Sequence, residues 1–249
     1  MTTLLITMFY NGGVTRASAD DVPSGTRMTE QSMGDEAVAR TMPAVPAKPT
    51  VRTAPRRPGP AADPAQRSDL LAAASRLLAA EGPDALTVRR IAAEAGCSTM
   101  GVYSRFGGKD GIVEALFVEG FEGLAAAMDA VPDTDDVMAD LLECGVAYRR
   151  FALAHPTSYT VMFERAVPGY EPSEAAGTIA LGTFERLVRR VERAVAAGCL
   201  EGGDTIETTM RVWALSHGWV SLEIHGMLKT AADEPTYVRA LMASCPRRS

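Results

Sequence analysis

The chain of 249 residues has only four cysteines and three histidines, and they are scattered along its length. Because they form no Cys-x-x-Cys pair and no mixed Cys-His group, a structural zinc site is not expected. Isolated cysteines fit a reducing compartment better than a disulfide-stapled secreted protein. No hydrophobic run reaches the roughly 18 apolar residues of a membrane span. We therefore expect no metal, no cofactor, no membrane partner and a cytoplasmic location.

Positive charge is also scarce, with 25 Lys and Arg against 31 Asp and Glu and a net charge of −6. This balance argues against indiscriminate nucleic-acid binding, although a local basic patch remains compatible with it because steering depends on where charge lies. Between Arg67 and Lys109 the chain has six basic and four acidic residues, a local charge of +2. A localised footprint for nucleic acid is therefore possible in this part of an acidic protein.

Residues 1–63 differ in composition from the rest of the chain. Seven prolines between Met42 and Pro64 rule out regular helix or sheet there, and four basic residues face only Asp63. The favoured interpretation is a disordered extension, or a translation start that is placed too early. In the latter case Met28, Met33 or Met42 would be the true first residue. The other interpretation is a basic arm that follows DNA phosphates or the minor groove. Leu4–Ile6 is too short for a signal peptide and follows no basic residue.

Two short helices around a tight turn are predicted between Thr87 and Phe106. The first has an apolar stripe at helical spacing, made of Val88, Ile91, Ala92 and Ala95. Gly96 is expected to end it in a left-handed conformation, and Ser98 to cap the next helix. The second helix should bury Val102 and Phe106 and turn four side chains outward: Thr99, Met100, Tyr103 and Arg105. A short capped helix of this kind fits the DNA major groove.

The run from Ala95 to Leu116, AGCSTMGVYSRFGGKDGIVEAL, resembles the N-terminal domain of TetR/AcrR-type transcriptional regulators. The matching positions are Gly96, Cys97, Ser98, Val102, Tyr103, Phe106, Gly107, Gly108, Lys109 and Asp110. The resemblance extends over roughly residues 64–125 and has two departures. Arg105 stands where the family often has His or Tyr, which is expected to change a phosphate or base contact. Gly111 replaces a better helix former, a loss of about 1 kcal/mol.

The resemblance implies a set of DNA-contacting residues, namely Thr87, Arg89, Ser98, Thr99, Met100, Tyr103, Arg105 and Lys109. Tyr103 is expected to reach a phosphate, and Thr87 to cap its helix while the free N–H groups beside it hold another. Thr99 and Met100 are the expected readers of base edges, and a Met contact would favour a thymine methyl. Arg89 and Arg90 are either solvated charges, or one of them faces the DNA backbone.

Beyond about residue 126 the pattern predicts further helices, one of them starting at His155–Pro156 and ending at Pro168–Gly169, so we expect an all-α fold. A three-helix helix-turn-helix domain would occupy residues 64–125, and a C-terminal helical domain for ligand binding and dimerisation residues 126–245. The helix predicted over Thr205–Leu228 has two apolar stripes and needs cover on both sides, one of them from a second copy. Its segment VWALSHGWVSLEIHG resembles the C-terminal domain of a TetR-type subgroup marked by Trp213, His217 and Gly218.

The resemblance also implies a small-molecule effector that binds between these helices, since the family takes up apolar or amphipathic molecules there. The expected pocket residues are Phe151, Met162, Phe163, Phe184, Trp213 and His217. His217 between two tryptophans invites a catalytic or metal role. No acid partner or second ligand lies at a useful spacing, so a structural or pocket-lining role is expected instead.

The expected function is a homodimeric, non-enzymatic transcriptional repressor, nucleoid-associated when bound to DNA and released from a palindromic double-stranded operator by its small-molecule effector. Two alternatives remain open. One is a helical enzyme or sensor that merely shares the fold, and it needs a polar catalytic constellation that the sequence does not show. The other is a DNA-binding protein without an effector that acts through a partner protein. A ligand-sized cavity beside Trp213 and Phe184 argues against it, and a filled core argues for it.

Overall fold

The computed structural model describes residues 64–201, 204–228 and 233–245, and the regular elements within these ranges are helices. The nine α-helices of the described residues are α1 Pro64–Glu81, α2 Val88–Glu94, α3 Thr99–Phe106, α4 Lys109–Asp129, α5 Val137–Ala154, α6 Pro156–Phe163, α7 Glu174–Ala196, α8 Thr205–Ile224 and α9 Glu234–Ser244. The predicted all-α fold is confirmed. Both interpretations of residues 1–63 concern a segment that lies outside the described ranges.

Helices α1 to α3 form a small unit whose local signals act as predicted. The hydroxyl of Thr87 accepts a hydrogen bond from the backbone N–H of Arg90 at 3.3 Å and begins α2. Ser98 begins α3 in the same way, accepting from the N–H of Gly101 at 3.2 Å. Gly96 lies between the helices with φ 66°, a left-handed conformation that favours glycine. The core of the unit is formed by Leu70, Leu71, Ala74, Leu77, Leu86, Ile91 and Val102, all buried.

Helix α4 connects this unit to the rest of the fold. It begins at Lys109, three residues after α3 ends, and packs against α1 and α3 as well as α5, α6 and α7. Its far end is held by Arg190 of α7, whose Nη2 donates to the carbonyls of Met128 at 3.2 Å and Val131 at 2.6 Å. Helix α4 is therefore held at both ends, by α1 and α3 near its start and by Arg190 near its end.

Gly111 in the first turn of α4 has a steric role that helix propensity does not show. A Cβ at this position would collide with the carbonyl oxygen of Phe106 and lie 2.8 Å from its carbonyl carbon. The sequence-based expectation, that glycine only weakens this helix, therefore misses the larger effect. The close approach of α3 and α4 requires the absence of a side chain here.

The C-terminal helices differ from the sequence-based expectation at two ends. Helix α6 ends at Phe163 rather than near Pro168, and Arg165 beyond it has φ 49°, which a continuing helix does not allow. Helix α8 ends at Ile224 rather than Leu228, where Gly226 has φ 68°. The loop over residues 164–173 is consequently longer than predicted and runs back towards α4.

The buried face of α8 does not follow either of the two apolar stripes expected from the sequence. Its buried residues are Thr208, Thr209, Val212, Ser216 and Val220. Thr209 and Ser216 bond to backbone carbonyls one turn earlier, at 2.7 and 2.9 Å. Small hydroxyl side chains satisfied in this way can be buried against neighbouring helices, which hydropathy alone does not predict.

A buried ion pair joins α5 to α8. Arg149 donates to Glu223 through Nε at 2.9 Å and Nη2 at 2.5 Å, with side-chain exposures of 9% and 11%. The guanidinium also lies 5.9 Å from the ring centre of Tyr237 on α9. The hydroxyl of Tyr237 in turn bonds to Ser216 and to the carbonyl of Gly145, at 2.9 and 3.0 Å. Three helices thus meet on one polar cluster within the core.

Within the ranges that the structure describes, none of the helices combines the length and apolarity needed to cross a bilayer. No group of three or more His, Cys, Asp or Glu side chains converges there in a way that could hold a metal ion.

Candidate nucleic-acid interface

The outer surface of α3 is apolar and strongly exposed. Met100 is 72% exposed and Tyr103 55% exposed, whereas Val102 between them is completely buried. Thr99 and the capping residue Ser98 are exposed beside them. Six of the eight residues predicted to contact DNA are therefore exposed, and the other two, Arg105 and Lys109, are half-buried.

The structure separates the two adjacent arginines of α2. Arg90 makes a bidentate ion pair with Glu81, at 2.7 and 2.5 Å. Arg89 is exposed and has no carboxylate partner among the described residues. Lys109 at the start of α4 is half-buried and likewise has no carboxylate partner among them. The cations available to a phosphate at this surface are thus Arg89 and Lys109, while Arg90 is engaged within the protein.

Arg105 does not point outward as the sequence analysis expected. Its side chain is half-buried, and its Nη1 donates to the carbonyl of Gly101 at 3.3 Å. Its Nε is buried and has no hydrogen-bond partner. Long side chains on a helix lean towards the preceding turn, and this geometry brings the guanidinium back along α3.

A cluster of aromatic rings surrounds His217 in the C-terminal helices. The ring of His217 is stacked between Trp213 and Tyr159, with centroid distances of 5.3 and 5.5 Å, and Phe163 meets it edge-on at 5.1 Å. The hydroxyl of Tyr159 lies 2.6 Å from Nδ1 of His217. Burial lowers the pKa of His217 and outweighs the nearby Glu164 carboxylate. A neutral imidazole accepting at Nδ1 carries its proton on Nε2.

The six expected pocket residues do not form one group. Phe163, His217 and Trp213 are joined by ring contacts, and Phe184 extends the group at 6.4 Å from Trp213. Phe151 instead stacks on His155 and lies over Gly123 of α4, and Met162 fills the space above Gly120. Those two side chains pack α5 and α6 against α4.

Sequence reasoning missed the two hydroxyls of the cluster, those of Tyr148 and Tyr159. Both side chains are buried, and their hydroxyls lie 3.4 Å apart. Two tyrosines eleven residues apart with apolar neighbours look like ordinary core aromatics, and only the position of His217 on another helix shows that their hydroxyls converge.

Two family models match this chain. One, described as bacterial regulatory proteins of the tetR family, covers residues 70–116, and the other, described as a tetracyclin repressor-like C-terminal domain, covers residues 141–245. The chain belongs to the TetR family. This is a family of transcription regulators and not of enzymes, so the alternative of a helical enzyme is excluded.

Curated relatives of this TetR-family chain include two regulators of Mycobacterium tuberculosis. The HTH-type transcriptional regulator Rv1816 is 28% identical over 132 residues, which are 51% of this chain and 54% of that protein. The uncharacterized HTH-type transcriptional regulator Rv1556 is 39% identical over 80 residues, 32% of this chain and 38% of that one. The chain thus spans about half the length, or less, of these curated relatives.

Solved structures support the TetR fold over a larger part of the chain. A protein with unknown function from Rhodococcus sp. RHA1 is 28% identical with a TM-score of 0.64, covering 76% of this chain and 96% of its own. The TetR family transcriptional regulator PfmR from Thermus thermophilus is 18% identical with a TM-score of 0.56, covering 71% and 96%. At 18% identity, the second likeness concerns the fold alone.

A hydrogen-bonded link joins α4 of this TetR-family fold to the loop over residues 164–173. The carboxylate of Glu114 accepts from the hydroxyl of Tyr170 at 2.7 Å, from the backbone N–H of Ser173 at 3.3 Å and from the hydroxyl of Ser173. A cleft of about 460 Å³ lies beside this link and is lined in part by Asp110 and Glu171. The loop that follows the aromatic cluster is therefore bound to the helix that follows α3.

Replacing Glu114 by glutamine should lower the free energy of unfolding by about 1–2 kcal/mol at pH 7, because a charged acceptor is lost. Partial burial raises the pKa of Glu114, but hydrogen bonds from Ser173 and Tyr170 outweigh it and leave the pKa below its ordinary value. The folded pKa lies below the unfolded one, so the stabilisation is present above about pH 4.3 and disappears as pH falls through the folded pKa.

Urea unfolding at a fixed protein concentration, at pH 7 and at decreasing pH values, measures this difference. Glu122→Gln, an exposed residue of the same helix, is the matched control. Equal stability of the two variants at pH 7, or a difference that grows as the pH falls, would contradict the link.

Proposed function

We propose that this TetR-family protein is a ligand-responsive, sequence-specific DNA-binding regulator. Its simplest mode of action is repression: the protein would bind a palindromic operator in the cytoplasm, on the nucleoid. A small molecule would release it from that operator. The observation that carries the proposal is α3, a capped helix with exposed Met100 and Tyr103 that leads directly into the anchored helix α4. In this proposal residues 64–125 bind DNA, residues 126–245 bind the effector and dimerise, and residues 1–63 are an extension.

A second copy of the chain would place two α3 helices in successive major grooves, about one helical turn apart. The outward side of α8 supports this arrangement. Leu222 is 42% exposed, Ala214 is exposed, and a Cβ on Gly218 would meet nothing within 4 Å. An exposed apolar helix surface with small residues permits close packing of a second helix, so we assign the dimer contact to this side of α8.

The DNA-contacting residues divide into two groups in this proposal. Phosphate contacts come from the cations and hydroxyls around α3, namely Thr87, Arg89, Ser98, Tyr103 and Lys109, and Arg105 joins them if its guanidinium leaves the carbonyl of Gly101. Base edges are read by Thr99 and Met100. Phosphate contacts determine position and affinity, whereas contacts to base edges determine sequence preference.

The effector would bind at the aromatic cluster around His217. Helix α6 contributes Tyr159 and Phe163 to this cluster and continues into the loop that bonds to Glu114 of α4. An occupant that moves α6 would therefore act on α4 and on the separation of the two α3 helices. It weakens DNA binding only if it prefers the geometry that does not fit the operator.

The proposal is tested by selecting bound sequences from random DNA at near-physiological salt and by footprinting the region upstream of the gene. A selected palindrome that the protein also protects supports it. Failure of the purified dimer to enrich any sequence at moderate salt contradicts it. A selected palindrome whose binding no small molecule changes favours the second candidate, a regulator that acts through a partner protein.

The same assay separates the two arginines of α2. Arg89→Gln should weaken binding to all sequences alike and reduce the slope of log affinity against log salt by about one for each lost phosphate contact. Arg90→Gln is the matched control, because this residue is already paired with Glu81. An equal effect of the two substitutions on the salt slope would contradict the assignment of Arg89 to a phosphate.

A further inference from the structure

The recognition surface of α3 leaves an apolar side chain exposed where a polar one would be expected. Met100 is 72% exposed and is the most exposed of the large hydrophobic side chains in the described ranges. A thioether in this position contributes nothing to the core of its own chain. The thioether is flexible and polarisable, so it adapts readily to a partner surface.

Two polar side chains of α3, and the serine that caps it, are hydrogen-bonded within the helix itself. Ser98 accepts from the N–H of Gly101, and Ser104 donates to the carbonyl of Gly101 at 3.1 Å. Arg105 donates to that same carbonyl. The usual reader of guanine is an arginine that donates two hydrogen bonds to the base edge. On α3 the single arginine is folded back along the helix, so its guanidinium is not turned towards a base edge in this structure.

Gly101 is a second and independent sign that another molecule approaches the backbone of α3 closely. A Cβ at Gly101 would make only ordinary contacts, the nearest being 3.6 Å from Nη1 of Arg105. Internal packing therefore does not require glycine here, although glycine in a helix is less stable than alanine by about 1 kcal/mol. A missing side chain next to Met100 leaves room for another molecule to approach the helix backbone.

We infer that α3 reads its operator chiefly by apolar contact, with Met100 against the 5-methyl group of a thymine in each half-site. The thymine methyl is the one apolar group that a base pair presents in the major groove. The absent side chain of Gly101 lets the helix come close enough for this contact. The inference rests on the proposed DNA-binding function and adds the class of base that the helix recognises.

The test uses the full-length protein and the operator selected from random DNA. Each thymine of the half-site is replaced in turn by deoxyuridine, which removes only the methyl group. At one position the affinity should fall by about fourfold for one half-site and by about fifteenfold for both, as expected for the loss of a buried methyl contact. Met100→Ala should bind thymine and deoxyuridine operators equally, whereas Met100→Leu should keep most of the preference.

Two controls distinguish this inference from the function on which it rests. Met227→Ala removes an exposed methionine outside the recognition helix and should retain the thymine preference. Specific binding that no deoxyuridine replacement weakens, or a Met100→Ala variant that still prefers thymine, would overturn the inference and leave the proposed function standing. Absence of any selected sequence would instead overturn the function, and the inference with it.

Discussion

Replacing Arg149 by methionine should lower the free energy of unfolding by about 3–5 kcal/mol. The substitution removes the positive charge that pairs with Glu223, and it leaves a carboxylate that is 11% exposed. The desolvation cost of an unpaired buried charge exceeds the value of the pair itself. The lost contact with the ring of Tyr237 adds to the effect.

Urea unfolding at a fixed protein concentration measures this loss. Two further variants show whether it comes from the buried ion pair. Arg150→Met removes the neighbouring arginine, whose side chain is 57% exposed, and should change the stability by less than about 1 kcal/mol. The double variant Arg149→Met/Glu223→Leu should regain much of the loss, since an apolar pair of similar volume needs no compensation. A loss for Arg149→Met no larger than that for Arg150→Met would show that the buried pair does not hold α5 to α8.

Gly111→Ala should destabilise the protein by more than about 2 kcal/mol, although alanine is the better helix former by about 1 kcal/mol. The added Cβ would collide with the carbonyl oxygen of Phe106, and a backbone atom cannot move aside as the end of a flexible side chain can. Relief of the collision must shift α3 relative to α4. The variant should therefore lose affinity for operator DNA by more than its loss of folded protein explains.

Gly177→Ala is the matched control for this substitution. Gly177 lies in the first turns of α7, and a Cβ there would meet nothing within 4 Å. This variant should be as stable as the unsubstituted protein or up to about 1 kcal/mol more stable. Thermal unfolding and operator binding of the two variants show whether the collision at Gly111 outweighs helix propensity. A gain in stability for Gly111→Ala would mean that helix propensity governs this turn after all.

Many features of the DNA-binding part could be predicted because they depend on neighbours in the sequence. The caps at Thr87 and Ser98 bind N–H groups three residues away, and Gly96 is needed for a backbone angle at its own position. The buried stripe of α2 follows from the helical period. Interactions of this range need no knowledge of the remaining chain, and the structure confirms them.

The state of individual charged side chains could not be predicted in the same way. Arg89 and Arg90 are adjacent and identical, and only the position of Glu81 at the end of α1 decides which one is paired. Arg105 looked like an outward residue of a recognition helix, yet its guanidinium bonds to Gly101. A helical period predicts the direction of a Cβ, whereas the end of a long side chain goes where a partner is available.

The sequence by itself therefore determined the helical fold, the helix-turn-helix with its caps, and membership of the TetR family. The tertiary structure decided which side chains form the polar links, Arg149 with Glu223 and Glu114 with Ser173, whose partners are 74 and 59 residues apart. It also decided that His217 meets Tyr148 and Tyr159, and that Gly111 must lack a side chain. Local hydrogen bonds and periodicity act over three or four residues, but these contacts exist only once distant helices have packed together.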